Sequence, residues 1–206
     1  MLADGPAELP DFRFHPDPVA TGAVVEKPGV TCPCCGLDRG WAYVGPLYSA
    51  LPDIPDDICP WCIADGSASK KFAWGKKDFP AVFVAGLGEY LRGDDGRINN
   101  FHNSALAKID ITQDAKDELY LRTPGVSSFQ DIYWPVCCAE PTTYLGPREG
   151  EELLEMTGPL DSLIATGTSE QKAKDLLASA EVDGSVLAHT FRCEQCGTHL
   201  VEIDTD

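Results

Sequence analysis

The chain has 206 residues, 43% of them hydrophobic, with nine cysteines and a formal charge of −17 from 33 acidic and 16 basic side chains. That length suits one domain or two small ones, and no run approaches the ~18 apolar residues of a membrane helix. Nucleic-acid affinity comes mainly from cations that displace counterions at phosphate. So acidic a chain is repelled from DNA and RNA overall and complements a basic protein partner, with plain solubility as the competing explanation.

Residues 1 to 10 are small, acidic and proline-bearing, which predicts a disordered start. Met1 to Gly5 has neither the basic start nor the apolar core of a signal peptide, so the expected location is the cytoplasm. With no secretion signal, nine cysteines favour metal ligation over disulfides, and the odd number leaves one thiol over in any disulfide scheme. Asp11 to Pro18 reads as an extended segment, because residues before proline avoid the α region. Phe12 and Phe14 then share a side as core anchors. His15 reads as structural rather than as a ligand.

Two cysteine pairs organise the next stretch. Cys32 and Cys35, followed by Gly36, form one Cys-x-x-Cys, and Cys59 and Cys62 form the second. A two-residue spacer lets one tight turn aim two sulfurs at a tetrahedral zinc. The following glycine fits a turn that must reach positive φ. Between the pairs, residues 23–26 and 41–44 read as a strand and its return. Pro60 suits a first helical position, so a helix is expected from there to about Ala68, with its N-terminus facing the thiolates. Knuckle, hairpin and helix together make a treble-clef-like arrangement. Cys59-Pro60-Trp61-Cys62 also resembles the redox motif of glutaredoxins. The proline-rich, acidic residues 51–58 before it do not suit the central strand that fold requires.

Lys70, Lys71, Lys76 and Lys77 around Phe72 and Trp74 form a small basic-aromatic patch, read as a solvated helix end in preference to a base-stacking platform. Residues 78 to 110 read as a variable, loop-rich region. Thr112 caps a helix that buries Ala115, Leu119 and Tyr120 and ends at Thr123-Pro124-Gly125. Residues 129–135 are extended and lead into Cys137-Cys138. Two helices follow, over 148–156 and after a Thr168 cap. The second carries Ala173, Leu176, Leu177 and Ala180 on one face. Strands at 186–192 and 198–204 flank Cys193 and Cys196, followed by Gly197, as a zinc-ribbon-like hairpin. A second zinc is plausible there, with Cys137 and Cys138 as the remaining ligands and His199 as another candidate. Adjacent residues in a regular strand point to opposite faces, so a kink at Pro135 or a bulge would be needed.

The expected fold class is α+β: a small mixed sheet or hairpins with short helices, a treble-clef-like knuckle near the N-terminus and a zinc-ribbon-like hairpin at the C-terminus. The expected division is a zinc module over 11–77, the loop-rich region 78–110, and a helical segment 111–206 with its Cys-x-x-Cys hairpin, packed with the first module as one unit.

Several motifs resemble the CbrC family of bacterial proteins. They are Phe12 to Pro18, Val30 to Gly36, Gly45 to Tyr48, Cys59 to Ala68, Arg122 to Gly125, Tyr144 to Pro147 and Phe191 to Cys193. The resemblance covers most of the chain and is weakest over 78–110. It implies a role in resistance to a colicin-type nuclease toxin. Where that family carries His-Cys, this chain has Cys137-Cys138, which keeps a metal-competent side chain in place. The resulting expectation is a zinc-stabilised acidic binding protein whose partner is a basic toxin domain. A thiol- or zinc-dependent enzyme and a nucleic-acid-binding zinc module are the alternatives.

Overall fold

In the computed structural model, which describes residues 8–73, 79–105 and 107–206, the chain divides into two compact units. The first comprises residues 1–84 and 116–127, the second 85–115 and 128–206. Residues 116–127 belong to the first unit although 85–115 belong to the second, so the two units exchange chain segments. Residues 1–7, and Trp74, Lys76 and Lys77 of the basic-aromatic patch, lie outside the described residues.

In the first unit, β1 (Val24–Glu26) pairs antiparallel with β2 (Trp41–Tyr43), with Val24 opposite Tyr43. The expected single helix is two short ones, α1 (Pro60–Ala64) and α2 (Ser67–Lys71). Gly66 breaks them with φ +71°, a left-handed conformation at which a helix cannot continue. Phe12 and Phe14 are buried as expected. Three of the thiols (Cys32, Cys59 and Cys62) pack in the same core as Val24, Tyr43, Ile63 and Phe83. Tyr43 ties this core to the returning segment: its hydroxyl donates to the Pro46 carbonyl at 2.8 Å and accepts from the Gly125 N–H at 3.1 Å. His15 is fully buried, with Nδ1 2.8 Å from the Pro124 carbonyl and Nε2 2.6 Å from Thr21 Oγ1. It is a clip between segments far apart in sequence.

Helix α3 (Gln113–Arg122) starts where Thr112 Oγ1 accepts from the Ala115 N–H at 3.2 Å. Its Ala115 and Leu119 are buried.

Part of the region expected to be loop-rich is a β-hairpin in the second unit. Strands β3 (Gly86–Arg92) and β4 (Ile98–Asn103) pair antiparallel, and β3 also pairs parallel with β5 (Tyr133–Cys137). Strand β6 (Glu140–Pro141) completes this sheet in the order β4-β3-β5-β6. Glycines at 86 and 88 weaken the strand signal there. Both lie where a Cβ would meet an aromatic ring within 3 Å, of Tyr133 and of Phe101. A second sheet, β7-β8-β9, runs Thr143–Pro147, Val186–Arg192 and His199–Thr205, all antiparallel.

The β8–β9 hairpin has two buried faces. Ala188 and Val201 pack with Leu153, Leu163, Ala173 and Leu177. These come from α4 (Gly150–Glu155), α5 (Pro159–Ala165) and α6 (Glu170–Ala178). Helix α5 has no counterpart in the expected elements, and α6 is capped by Ser169 rather than Thr168. On the other face, Phe191 meets the Trp134 ring edge-on at 5.3 Å. That face also carries polar groups. Tyr144 OH stands 2.8 Å from His189 Nδ1, and His189 Nε2 stands 3.5 Å from Asp204. Asp204 in turn accepts from the Phe129 and Gln130 N–H groups at 2.6 and 2.9 Å.

Candidate metal centres

Each centre begins with the same turn. In the first, the Cys32 N–H donates to the Leu37 carbonyl at 2.9 Å and the Gly36 N–H to the Cys32 carbonyl at 2.8 Å. In the second, the Cys193 N–H donates to Thr198 at 3.0 Å and the Gly197 N–H to Cys193 at 2.8 Å. Gly36 and Gly197 take φ +76° and +72°, so the glycine after each pair does what its position predicts.

The partner pairs differ. Cys59 is the residue before α1, Pro60 is the first helical residue, and Cys62 lies in the first turn. The N–H groups of Cys34 and Cys59 point at Cys32 Sγ, at 3.4 and 3.2 Å. Trp61, in the spacer, is partly buried against the core of the first unit and lies against the Arg39 guanidinium, 5.0 Å from ring to cation. In the second centre the adjacency of Cys137 and Cys138 is solved by neither a kink nor a bulge. Cys137 ends β5, and Cys138 and Ala139 form a two-residue hairpin turn with φ +56° and +57°, with Cys137 opposite Glu140. The left-handed backbone swings Cys138 back beside its neighbour. Turns of this kind favour Asn-Gly, so Cys-Ala here is strained.

In each group (Cys32, Cys35, Cys59, Cys62 and Cys137, Cys138, Cys193, Cys196) all four sulfurs lie within 4.8 Å of one another. A ZnS4 tetrahedron with ~2.3 Å bonds has sulfurs about 3.8 Å apart. Cys35–Cys59 and Cys137–Cys196 are separated by 3.8 Å, and Cys137–Cys138 by 3.9 Å. Disulfide sulfurs stand only about 2 Å apart, and all nine cysteines are free. The donor sets fit a metal ion, and their spacing and softness are compatible with zinc. His199 belongs to neither group. Cys34 stands outside the first, its sulfur 3.5 Å from Ser67 Oγ.

The electrostatics of the thiols point the same way. Burial pushes Cys59 up to about 12 and drives Cys62 and Cys137 higher still. For Cys35, burial opposes ionisation, yet the Leu37 backbone and the neighbouring thiols bring it down to about 7. For Cys196, burial is outweighed by Thr198, Cys193 and Arg92, which bring it down to about 6. Four thiolates cannot all ionise in so small a space without a cation to neutralise them; a bound divalent metal supplies that charge.

No motif pointed to Arg92, which lies in the segment read as loop. Its Nη2 donates to Cys196 Sγ at 3.0 Å and also to Thr198 Oγ1. Two described members of the basic-aromatic patch are otherwise engaged. Phe72 is core, and Lys71 Nζ donates to the Pro33 and Cys34 carbonyls at 2.8 and 2.7 Å, beneath the first knuckle.

Together these features define an α+β protein with a knuckle-like and a ribbon-like four-cysteine centre. The description "Uncharacterised protein family (UPF0167)" matches residues 9–205, and the chain belongs to that family. UPF0167 protein Mb2317 of Mycobacterium bovis is 31% identical over 203 residues, 97% of this chain and 95% of the relative. UPF0167 protein PA1536 of Pseudomonas aeruginosa is 30% identical over 205 residues, 95% of this chain and 97% of the relative. No solved structure matches. These matches correct the CbrC assignment: the family that covers the chain is UPF0167.

Proposed function

We propose that this chain is a binding protein held in shape by two structural zinc ions, and that its acidic surface engages a basic protein partner. The observation that carries the reading is the completeness of each donor set. Four sulfurs at tetrahedral spacing close the coordination shell, whereas a catalytic zinc keeps one position open for water. We read the first centre as treble-clef-like, because its second pair comes from a helix start, and the second as zinc-ribbon-like. Metal binding releases folding energy by replacing the repulsion and desolvation of buried thiols with coordinate bonds.

The charge of −17 supports the partner half of the reading. Opposite fields accelerate encounter, and the complex weakens as salt shortens the screening length to roughly 10 Å at 0.1 M. A nuclease must present cations to phosphate, so a basic nuclease domain is a partner of the right charge. That narrower form now draws on charge complementarity alone.

The test has two parts. Elemental analysis of the purified full chain should give two zinc ions per molecule, and protein purified free of zinc yet fully folded would sink the structural half. Affinity capture from a native strain at low salt should recover a basic protein that is released as salt rises. Recovery only of neutral or acidic proteins, or of salt-insensitive ones, would rule out the partner half.

A further inference from the structure

The two centres are alike in ligands and unlike in exposure. In the first, Cys35 is the one exposed thiol, and its partners are the Leu37 backbone and the other three sulfurs. In the second, both Cys138 and Cys196 are exposed. Cys196 Sγ receives the Arg92 guanidinium at 3.0 Å, with Thr198 Oγ1 3.4 Å away on the side of the same cation. Cys137, buried, stands 3.8 Å behind it. A solvent-accessible thiolate beside a cation, with a second thiol in reach to resolve it, is the arrangement that makes a cysteine selectively sensitive to oxidation.

We infer that the second centre is a hydroperoxide-reactive site, with Cys196 as the attacking sulfur, Cys137 as the resolving one, and Arg92 with Thr198 as the groups that position the peroxide. The inference rests on the reading that each four-cysteine group holds zinc. The Cys196 thiolate attacks one oxygen of hydrogen peroxide and breaks the O–O bond, giving Cys196 sulfenic acid and, after protonation, one water. The Cys137 thiolate then attacks that sulfur and displaces hydroxide, which leaves as the second water. The two sulfurs lose two electrons in all and become a disulfide, and the peroxide is reduced to two waters. Two of the four ligands are thereby withdrawn. With the metal released, the left-handed turn at Cys138 and Ala139 loses the coordination that offsets its strain and is closed by the short β5–β6 pairing alone.

The experiment uses the full zinc-loaded chain, whose zinc content is measured before peroxide is added. Fewer than two zinc ions at that point overturns the metal reading itself, separately from this inference. Hydrogen peroxide is then added in small excess, zinc release is followed with a colorimetric chelator, and disulfides are mapped by mass spectrometry. The expected result is release of one zinc equivalent with a Cys137–Cys196 disulfide, reversed by a thiol reductant and added zinc, while Cys32, Cys35, Cys59 and Cys62 stay reduced. Arg92→Gln should slow the release roughly tenfold, and Arg92→Lys should restore much of the rate. Simultaneous release of both ions, a first disulfide between any other cysteines, or a wild-type rate in Arg92→Gln would overturn the proposal. If Arg92→Gln is isolated without its second zinc, Thr198→Val takes its place, and an unchanged rate there counts against the inference.

Discussion

His15 sits in the first unit without a charge because ionising it there would be expensive. Burial lowers its pKa from the usual 6.5 to about 4, against the Pro124 carbonyl and Asp17, which pull it back up. The unfolded chain therefore binds a proton that the folded chain refuses. The stability His15 contributes is present above pH 6.5 and is lost as pH falls through 4, by about 3 kcal/mol in all. Denaturant midpoints of His15→Gln should accordingly depend less on pH than those of the parent between about pH 7 and 5.5; parallel pH profiles would refute this. Glu202 works in the opposite sense. Burial raises its pKa from 4.5 to about 7, with the Tyr90 hydroxyl as its opposing partner at 2.5 Å. Its contribution is full below pH 4.5 and is lost as pH rises through 7. The side chain is partly open to solvent, so the loss is at most about 3 kcal/mol. Glu202→Gln should be more stable than the parent at pH 8 and equal to it near pH 4.5, which thermal unfolding at the two pH values would check.

At the scale of elements, two turns take a backbone conformation that residues with a Cβ adopt only under strain. Ala139 is exposed with φ +57°, so Ala139→Gly should raise stability by about 1 kcal/mol, read as a higher melting temperature with zinc content unchanged. Gly158, before α5, has φ +116°, and a Cβ there would lie 2.1 Å from the His199 carbonyl oxygen, next to the second knuckle. Gly158→Ala should cost about 3 kcal/mol or more and weaken retention of the second metal while sparing the first. Strands β1, β2, β8 and β9 and helices α3, α4 and α6 were legible because alternation, caps and proline–glycine punctuation act locally. The β3–β4 hairpin and α5 were not. Glycines at 86 and 88 erase the strand pattern, and Gly158-Pro159 looks like a loop until the helix it starts is seen packed through Leu163.

At the scale of the whole chain, the metals are expected to stabilise the two units separately. Cys62→Ser and Cys193→Ser should each lose one zinc equivalent, and a strong chelator applied in mild denaturant should strip both and lower the unfolding midpoint. Retention of both ions in either variant would contradict separate four-cysteine centres. No helix among the described residues is long and apolar enough to cross a membrane.

Four of the eight clustered cysteines were identifiable because a Cys-x-x-Cys-Gly turn encodes its own geometry in five consecutive residues, and Cys59 and Cys62 because their two-residue spacer opens a helix at Pro60. The charge was equally plain, being a sum over side chains that needs no fold. What only the tertiary structure decided depends on contacts between residues far apart in sequence. Cys137 and Cys138 share one centre because a left-handed hairpin turn overrides strand alternation. Arg92 reaches Cys196 across more than a hundred residues. Residues 116–127 belong to the first unit although 85–115 belong to the second. Local propensity cannot report such pairings, since the energy that fixes them appears only when the segments meet.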